Sequence, residues 1–133
     1  MATRHYVDTH AFLWYIAGNA LLGSAARAIL QNPASELFLP ATALAEACWI
    51  VDRGRVALAV SDVLTAIDND SRITLVPLDR SVIERSNELT AIGEMHDRQI
   101  VATALVARDQ GETVDLLTKD GDITASGLVA VIW

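Results

Sequence analysis

His5-Tyr6-Val7-Asp8-Thr9 is the stretch from which the rest of the chain is read: a short strand-forming run that ends on a carboxylate. Leu116-Leu117-Thr118-Lys119-Asp120 repeats the plan far along the chain. Each places an acid where an apolar strand gives way to a turn or helix. In open α/β sheets, ligands bind outside the carboxyl ends of strands, at the point where strand order reverses. If the order is 3-2-1-4-5, the first and fourth strands are neighbours about 4.8 Å apart. Asp8 and Asp120 then face one crevice.

Working outward, β-branched and aliphatic runs predict strands over Arg4–Val7, Glu36–Leu39, Ile73–Leu78, Val114–Thr118 and Leu128–Trp133. Helical patterns lie between them: Ala25–Gln31 with Ser24 as N-cap, Ala43–Asp52 stopped by Gly54, Val60–Ile67, Ser81–Ile92 and Asp97–Gln110. The last is the clearest, with Ile100, Val101, Ala104 and Leu105 at helical spacing. Alternating strands and helices without a hairpin dipeptide imply an α/β fold, a three-layer sandwich around a central parallel sheet. One domain spanning residues 1–133 is expected, because no linker, repeat or low-complexity tract divides the 133 residues.

Composition bounds the function. The chain is 52% hydrophobic, too apolar for an acidic disordered tail. Its 17 acidic against 10 basic residues give a net charge of −7, which excludes a sequence-blind nucleic-acid binder that depends on a basic face. Cys48 is the single cysteine, so no internal disulfide forms, and a small buried hydrophobe is its expected role. The apolar run Ala11–Ala17 ahead of Gly18-Asn19-Ala20 is signal-peptide-like, but Asp8 and His10 interrupt its approach. No apolar run nears the ~18 residues that span a bilayer. A cytoplasmic protein with no membrane association is expected.

Two further acids sit against apolar helical surroundings. Glu46 lies within Ala43-Leu44-Ala45-Glu46-Ala47-Cys48-Trp49, and needs a basic partner, an edge to solvent, or a metal. Asp97 opens the strongest helix, where a carboxylate suits the positive end of the dipole. Taken singly, Asp97 reads as a helix cap, Glu46 as a salt-bridged helix residue and Asp120 as a turn former. Taken together, four converging carboxylates repel one another unless a cation neutralises them. An all-oxygen site suits Mg²⁺ or Mn²⁺. Zinc spacing is lacking, since His5, His10 and His96 are scattered, and there is no phosphate-binding loop, dinucleotide glycine fingerprint or nucleophile-elbow serine. Metal-assisted hydrolysis of a phosphate ester fits this set best.

Four segments in order resemble the PIN-domain proteins, particularly the VapC-type toxins of bacterial and archaeal toxin–antitoxin pairs. Tyr6-Val7-Asp8-Thr9-His10-Ala11-Phe12-Leu13-Trp14 resembles the family's opening. Ala41-Thr42-Ala43-Leu44-Ala45-Glu46 is similar to the stretch that carries its glutamate. Met95-His96-Asp97-Arg98-Gln99-Ile100-Val101-Ala102-Thr103-Ala104-Leu105 resembles its Asp-Arg helix start, with His96 where relatives often have Pro. Leu116-Leu117-Thr118-Lys119-Asp120-Gly121-Asp122-Ile123 resembles its final acidic turn. The resemblance implies strand order 3-2-1-4-5 and an Mg²⁺- or Mn²⁺-dependent endoribonuclease that leaves a 5′-phosphate and a 3′-hydroxyl. It makes Asp8 and Asp97 the principal metal ligands, Glu46 and Asp120 the completion of the catalytic pocket, and Asp122 a further metal-ligand candidate. It also implies an RNA substrate, a cognate antitoxin and a homodimer.

Around these acids, Thr9 and Thr118 are placed to hydrogen-bond ligand carboxylates or to cap backbone. Arg53 and Arg55 flank Gly54 beyond the Glu46 helix and are candidates for RNA backbone contact; Arg98 and Lys119 adjoin site acids and either balance them or meet substrate. So few cations imply modest, salt-sensitive RNA affinity. Trp14, Tyr15, Trp49 and Ile50 read as core, with a dimer face or a groove for an antitoxin helix as the alternative. Two other functions stay in play: a catalytically silent PIN-type interaction module, and a receiver-like Mg²⁺-binding phospho-acceptor. The latter wants an adjacent acidic pair after the first strand, where only Asp8 stands.

Overall fold

The computed structural model describes residues 2–133. The chain runs β1 (Arg4–Val7), α1 (Thr9–Ala17), α2 (Ser24–Gln31), β2 (Glu36–Pro40), α3 (Ala41–Asp52), α4 (Val60–Asp68), β3 (Ile73–Val76), α5 (Arg80–Asn87), α6 (Met95–Asp109), β4 (Val114–Leu117), α7 (Gly121–Ser126) and β5 (Val131–Ile132). All pairings are parallel, in the order β3-β2-β1-β4-β5. From β1 the chain builds outward in one direction through β2 and β3, then returns to build the other through β4 and β5. Right-handed crossovers in opposite directions put helices on both faces, giving three layers. The expected sheet and order are present. A receiver-like sheet runs 2-1-3-4-5, so that reading is set aside.

The centre of the sheet explains why β1 and β4 were legible. All four residues of β4 are buried, as are Tyr6 and Val7 of β1. Tyr6 stacks on Phe38, its register partner in β2, at 5.3 Å between ring centroids. Asp115, inside β4, is buried beside His5, its register partner on β1, with Oδ1 and Nδ1 2.7 Å apart. Helix α6 is buried from Ile100 through Leu105, nearly all the way round, as a helix in the middle of a layer must be.

Boundaries moved for local reasons. The strand expected over 73–78 stops at Val76, ahead of Pro77, which has no N–H to give. Helix α5 ends at Asn87 and not at Ile92, and turns closed by Ser86 and Leu89 carbonyls follow. The last strand shrinks to Val131–Ile132. Ser24 is the first residue of α2; Gly23 precedes it as N-cap, with no side-chain cap bond. A Cβ at Gly23 would stand 2.5 Å from the backbone carbon of Trp133, so a close approach demands glycine there. The run Ala11–Ala17 is the body of α1, burying Ala11, Phe12 and Leu13 in the core. No helix among the described residues is long and apolar enough to cross a membrane. Trp49, expected in the core, is 51% exposed.

Candidate active site

Each site acid is placed by backbone chemistry at the carboxyl edge of the sheet. Asp8 follows β1 and continues its ladder, its N–H donating to the Leu117 carbonyl of β4 at 3.1 Å. It also caps α1: Oδ1 accepts from the Thr9 N–H at 2.7 Å. Its other oxygen, Oδ2, accepts from Thr118 Oγ1 at 2.5 Å. Thr118 Oγ1 in turn accepts from the Asp120 N–H at 3.0 Å, so one hydroxyl ties the ends of β1 and β4 together. Asp120 caps α7, Oδ1 accepting from the Ile123 N–H at 2.9 Å. Capping and site membership thus coexist at Asp8 and Asp120.

Glu46 comes from α3. Thr9 Oγ1 donates to its Oε1 at 2.8 Å, and no basic side chain pairs with it among the described residues. Asp97 behaves differently from its cap reading. Helix α6 begins at Met95, and Glu94 is the cap, its Oε2 accepting from the Asp97 N–H at 2.7 Å. His96, at the position where Pro was expected, holds Glu94 Oε1 through Nδ1 at 2.7 Å. The Asp97 carboxylate is left with no hydrogen-bond or ion-pair partner among the described residues.

A cavity of about 380 Å³ is lined by Asp8, Thr9, His10, Glu46, Asp97, Lys119 and Asp120. Burial, followed by repulsion from Asp120, Asp8, Glu94 and Glu46, pushes the Asp97 carboxyl up to about 7. Burial also raises Asp8 and Glu46, against the pull of the Thr118 and Thr9 hydrogen bonds. With three of its acids raised, the carboxylate cluster is short of positive charge. No three acid, His or Cys side chains among the described residues are preformed to clasp an ion together. That still fits Mg²⁺, which is typically held by one or two carboxylates while several waters complete its shell. The donor set is all oxygen, so the residues fit a hard divalent ion.

Other sequence candidates fall elsewhere. Asp122 is exposed in the first turn of α7 and does not line the cavity. Arg98 turns away, its Nε donating to the Ile92 carbonyl. Arg53 and Arg55 stand on Trp49, 4.0 and 5.6 Å from the ring centroid. Sequence reasoning missed Glu94 as the cap that frees Asp97, and His10 as a wall of the cavity. Glu94 sits three residues before Asp97, the spacing of a cap, but glutamate is not a favoured N-cap and so gives little signal.

A search among curated proteins finds no match. Solved structures of similar fold include VapC20 of Mycobacterium tuberculosis, described as a sarcin–ricin loop cleaving toxin: TM-score 0.69, 18% identity, covering 94% of this chain and 96% of that one. VapBC2 of Rickettsia felis, bound to a promoter DNA fragment, matches at TM-score 0.69 and 13% identity over 97% of both chains. The DNA-bound VapBC of Salmonella typhimurium matches at 0.65 and 13%, over 99% of this chain and 98% of that one. The sequence profile of the PIN domain matches residues 5–126. With the sheet order, the crevice and that match in hand, the chain belongs to the PIN domain family.

Proposed function

We propose that the chain is a divalent-metal-dependent endoribonuclease, the toxin of a toxin–antitoxin pair. The observation that carries the reading is the unpartnered Asp97 carboxylate in one cavity with Asp8, Glu46 and Asp120. The likeness to toxins and toxin–antitoxin complexes supports the biological half of it, including a cognate antitoxin as partner.

Asp8 and Asp97 are the residues to hold Mg²⁺ or Mn²⁺, with Glu46 and Asp120 completing the acidic wall. When bound, such an ion acidifies water and offsets charge on a phosphodiester. Thr118 and Thr9 keep Asp8 and Glu46 aimed by donating to them. Glu94 takes over the capping duty that would otherwise turn Asp97 back onto its helix. Lys119, exposed on the rim, presents an ammonium to substrate phosphate. In the proposed reaction a water oxygen bonds to phosphorus and the P–O3′ bond breaks, leaving a 3′-hydroxyl and a 5′-phosphate.

The test is incubation of the purified protein with structured RNA and Mg²⁺ or Mn²⁺, beside Asp8→Asn and Asp97→Asn. Cleavage by the wild type and its loss in both variants is the expected result. Cleavage unchanged in both, or absent from the wild type with either metal, overturns the reading.

A further inference from the structure

Two helices of this chain carry an aspartate at the same place, three residues after the N-cap, and use it in opposite ways. Helix α4 has Ala59 as N-cap and Asp62 three residues on. Alanine has no side chain to cap with, and the acid folds back: Asp62 Oδ2 accepts from the Ala59 N–H at 2.8 Å. That is the acid's half of a capping box. Helix α6 repeats the spacing with Glu94 and Asp97. Here the acid does not fold back, and Asp97 lines the carboxylate crevice instead.

What differs is the cap. Glu94 Oε2 accepts from the Asp97 N–H and its Oε1 accepts from His96 Nδ1, both at 2.7 Å. A carboxylate only accepts, so the proton of that second bond sits on Nδ1. Glutamate is not a favoured N-cap, since its long side chain loses much rotamer freedom when held. The imidazole supplies the hold that the side chain lacks. Arg98 fastens the stretch ahead of the cap, its Nε donating to the Ile92 carbonyl. With both oxygens engaged, the Glu94 charge is fixed over the helix N-terminus, the place an aspartate folding back as Asp62 does would take. Glu94 is also among the acids that repel Asp97. His96 and Glu94 are both about half exposed, where an ion pair adds little to stability. The pair matters for what it orients.

We infer that His96 and Glu94 are a positioning pair: His96 fixes the Glu94 carboxylate across the first turn of α6, and that fixed charge keeps Asp97 out of a capping box and in the crevice, free for a divalent cation. The inference rests on the metal-dependent nuclease reading. It adds to that reading two residues that act through Asp97 and set how well the site takes its ion.

Glu94→Ser separates positioning from capping. Serine is a favoured N-cap and completes a Ser-x-x-Asp capping box with Asp97, so α6 stays capped while Asp97 is drawn out of the crevice. Calorimetric titration with Mn²⁺ alone should show affinity lowered about 10–100-fold, as loss of a residue supporting a metal ligand does. The melting temperature of the metal-free variant should be no lower than that of the wild type. A crystal of metal-free Glu94→Ser should place an Asp97 carboxylate oxygen on the N–H at position 94, as Asp62 stands on Ala59. Glu94→Asp keeps both cap and charge and should bind Mn²⁺ nearly as the wild type does. His96→Ala frees the Glu94 carboxylate and should lose affinity, though less than Glu94→Ser; His96→Asn, which keeps a donor near the place of Nδ1, should regain it. A cap with a structural role only predicts the reverse, with affinity following the melting temperature. Unchanged affinity in Glu94→Ser, or an Asp97 that stays in the crevice of its metal-free crystal, overturns the assignment. Equal losses in Glu94→Ser and Glu94→Asp do so too. If the wild type binds Mn²⁺ and Glu94→Ser binds it equally well, the positioning pair alone falls. If the wild type binds no Mn²⁺ yet Asp97 folds back in Glu94→Ser, the metal-dependent reading alone falls.

Discussion

The strand pair β1 and β4 holds acids in two places, and they are handled in opposite ways. Midway along it, Asp115 is buried against His5, and burial's upward push on its carboxyl is countered by that imidazole. A few residues further on, at the carboxyl edge, Asp8 faces Asp120, Glu46 and Asp97 with hydroxyls and backbone N–H groups for company but no paired cation. The first acid has its partner within the chain and serves the fold. The second group has unmet demand for positive charge, and such demand is what a ligand supplies. A carboxylate's burial alone does not separate the two roles; the presence of a built-in partner does.

The contrast is easiest to break by substitution. Asp97→Asn should lower RNA cleavage by at least ~100-fold, since loss of residues that merely support a metal ligand already costs 10–100-fold. Asp115→Ala should leave cleavage close to wild type in the folded protein, as measured by initial rates at saturating Mn²⁺. If the two variants lose activity equally, the division of labour is wrong.

Stability should run the other way. Asp115→Ala strands the half-buried His5 and should cost about 1–3 kcal/mol in denaturant melts. Asp97→Asn removes a repelled carboxylate and should raise the melting temperature of the metal-free protein at pH 8. A lowered melting temperature in that variant would mean that Asp97 is a structural acid after all.

The pH dependence sharpens the point. The folded Asp97 carboxyl titrates at about 7, above its ordinary value of 3.8, so between those values the folded state holds more protons than the unfolded one. Stability of the metal-free chain should therefore fall as pH rises from about 4 to about 7, with the loss complete above that. Saturating Mg²⁺ or Mn²⁺ should reverse the trend, because metal binds the deprotonated folded cluster. The smallest effect is expected at Asp122, exposed and outside the cavity, where Asp122→Asn should change cleavage by less than about two-fold.

Much of this was readable from residues alone, for physical reasons that also mark where reading stops. β4 and the middle of α6 are buried throughout and β1 is buried at Tyr6 and Val7, so apolar residues mark these elements, and the acids that matter lie at their ends. Asp8 and Asp120 stood out because each follows the end of an apolar strand, Glu46 because it interrupts an apolar helix, and Asp97 because it opens the strongest helix. The edges were harder: β5 has two residues, and Pro77 cut β3 short of its apolar run. Least legible were features set by contacts between distant segments. Glu94 relieves Asp97 of its capping duty through a side-chain geometry that residue preferences do not signal. The groove between α1 and α3, with Arg53 and Arg55 on Trp49 and Lys119 on Trp14, exists only once those segments are brought together.

The central claim is that the carboxylates at the strand switch form a cation site through Asp97. Titration calorimetry of Mn²⁺ into the metal-free protein near pH 7, beside Asp97→Asn, tests it most directly. Saturable binding with proton release in the wild type, and its loss in the variant, is the predicted result. No binding, or equal binding in both proteins, contradicts it.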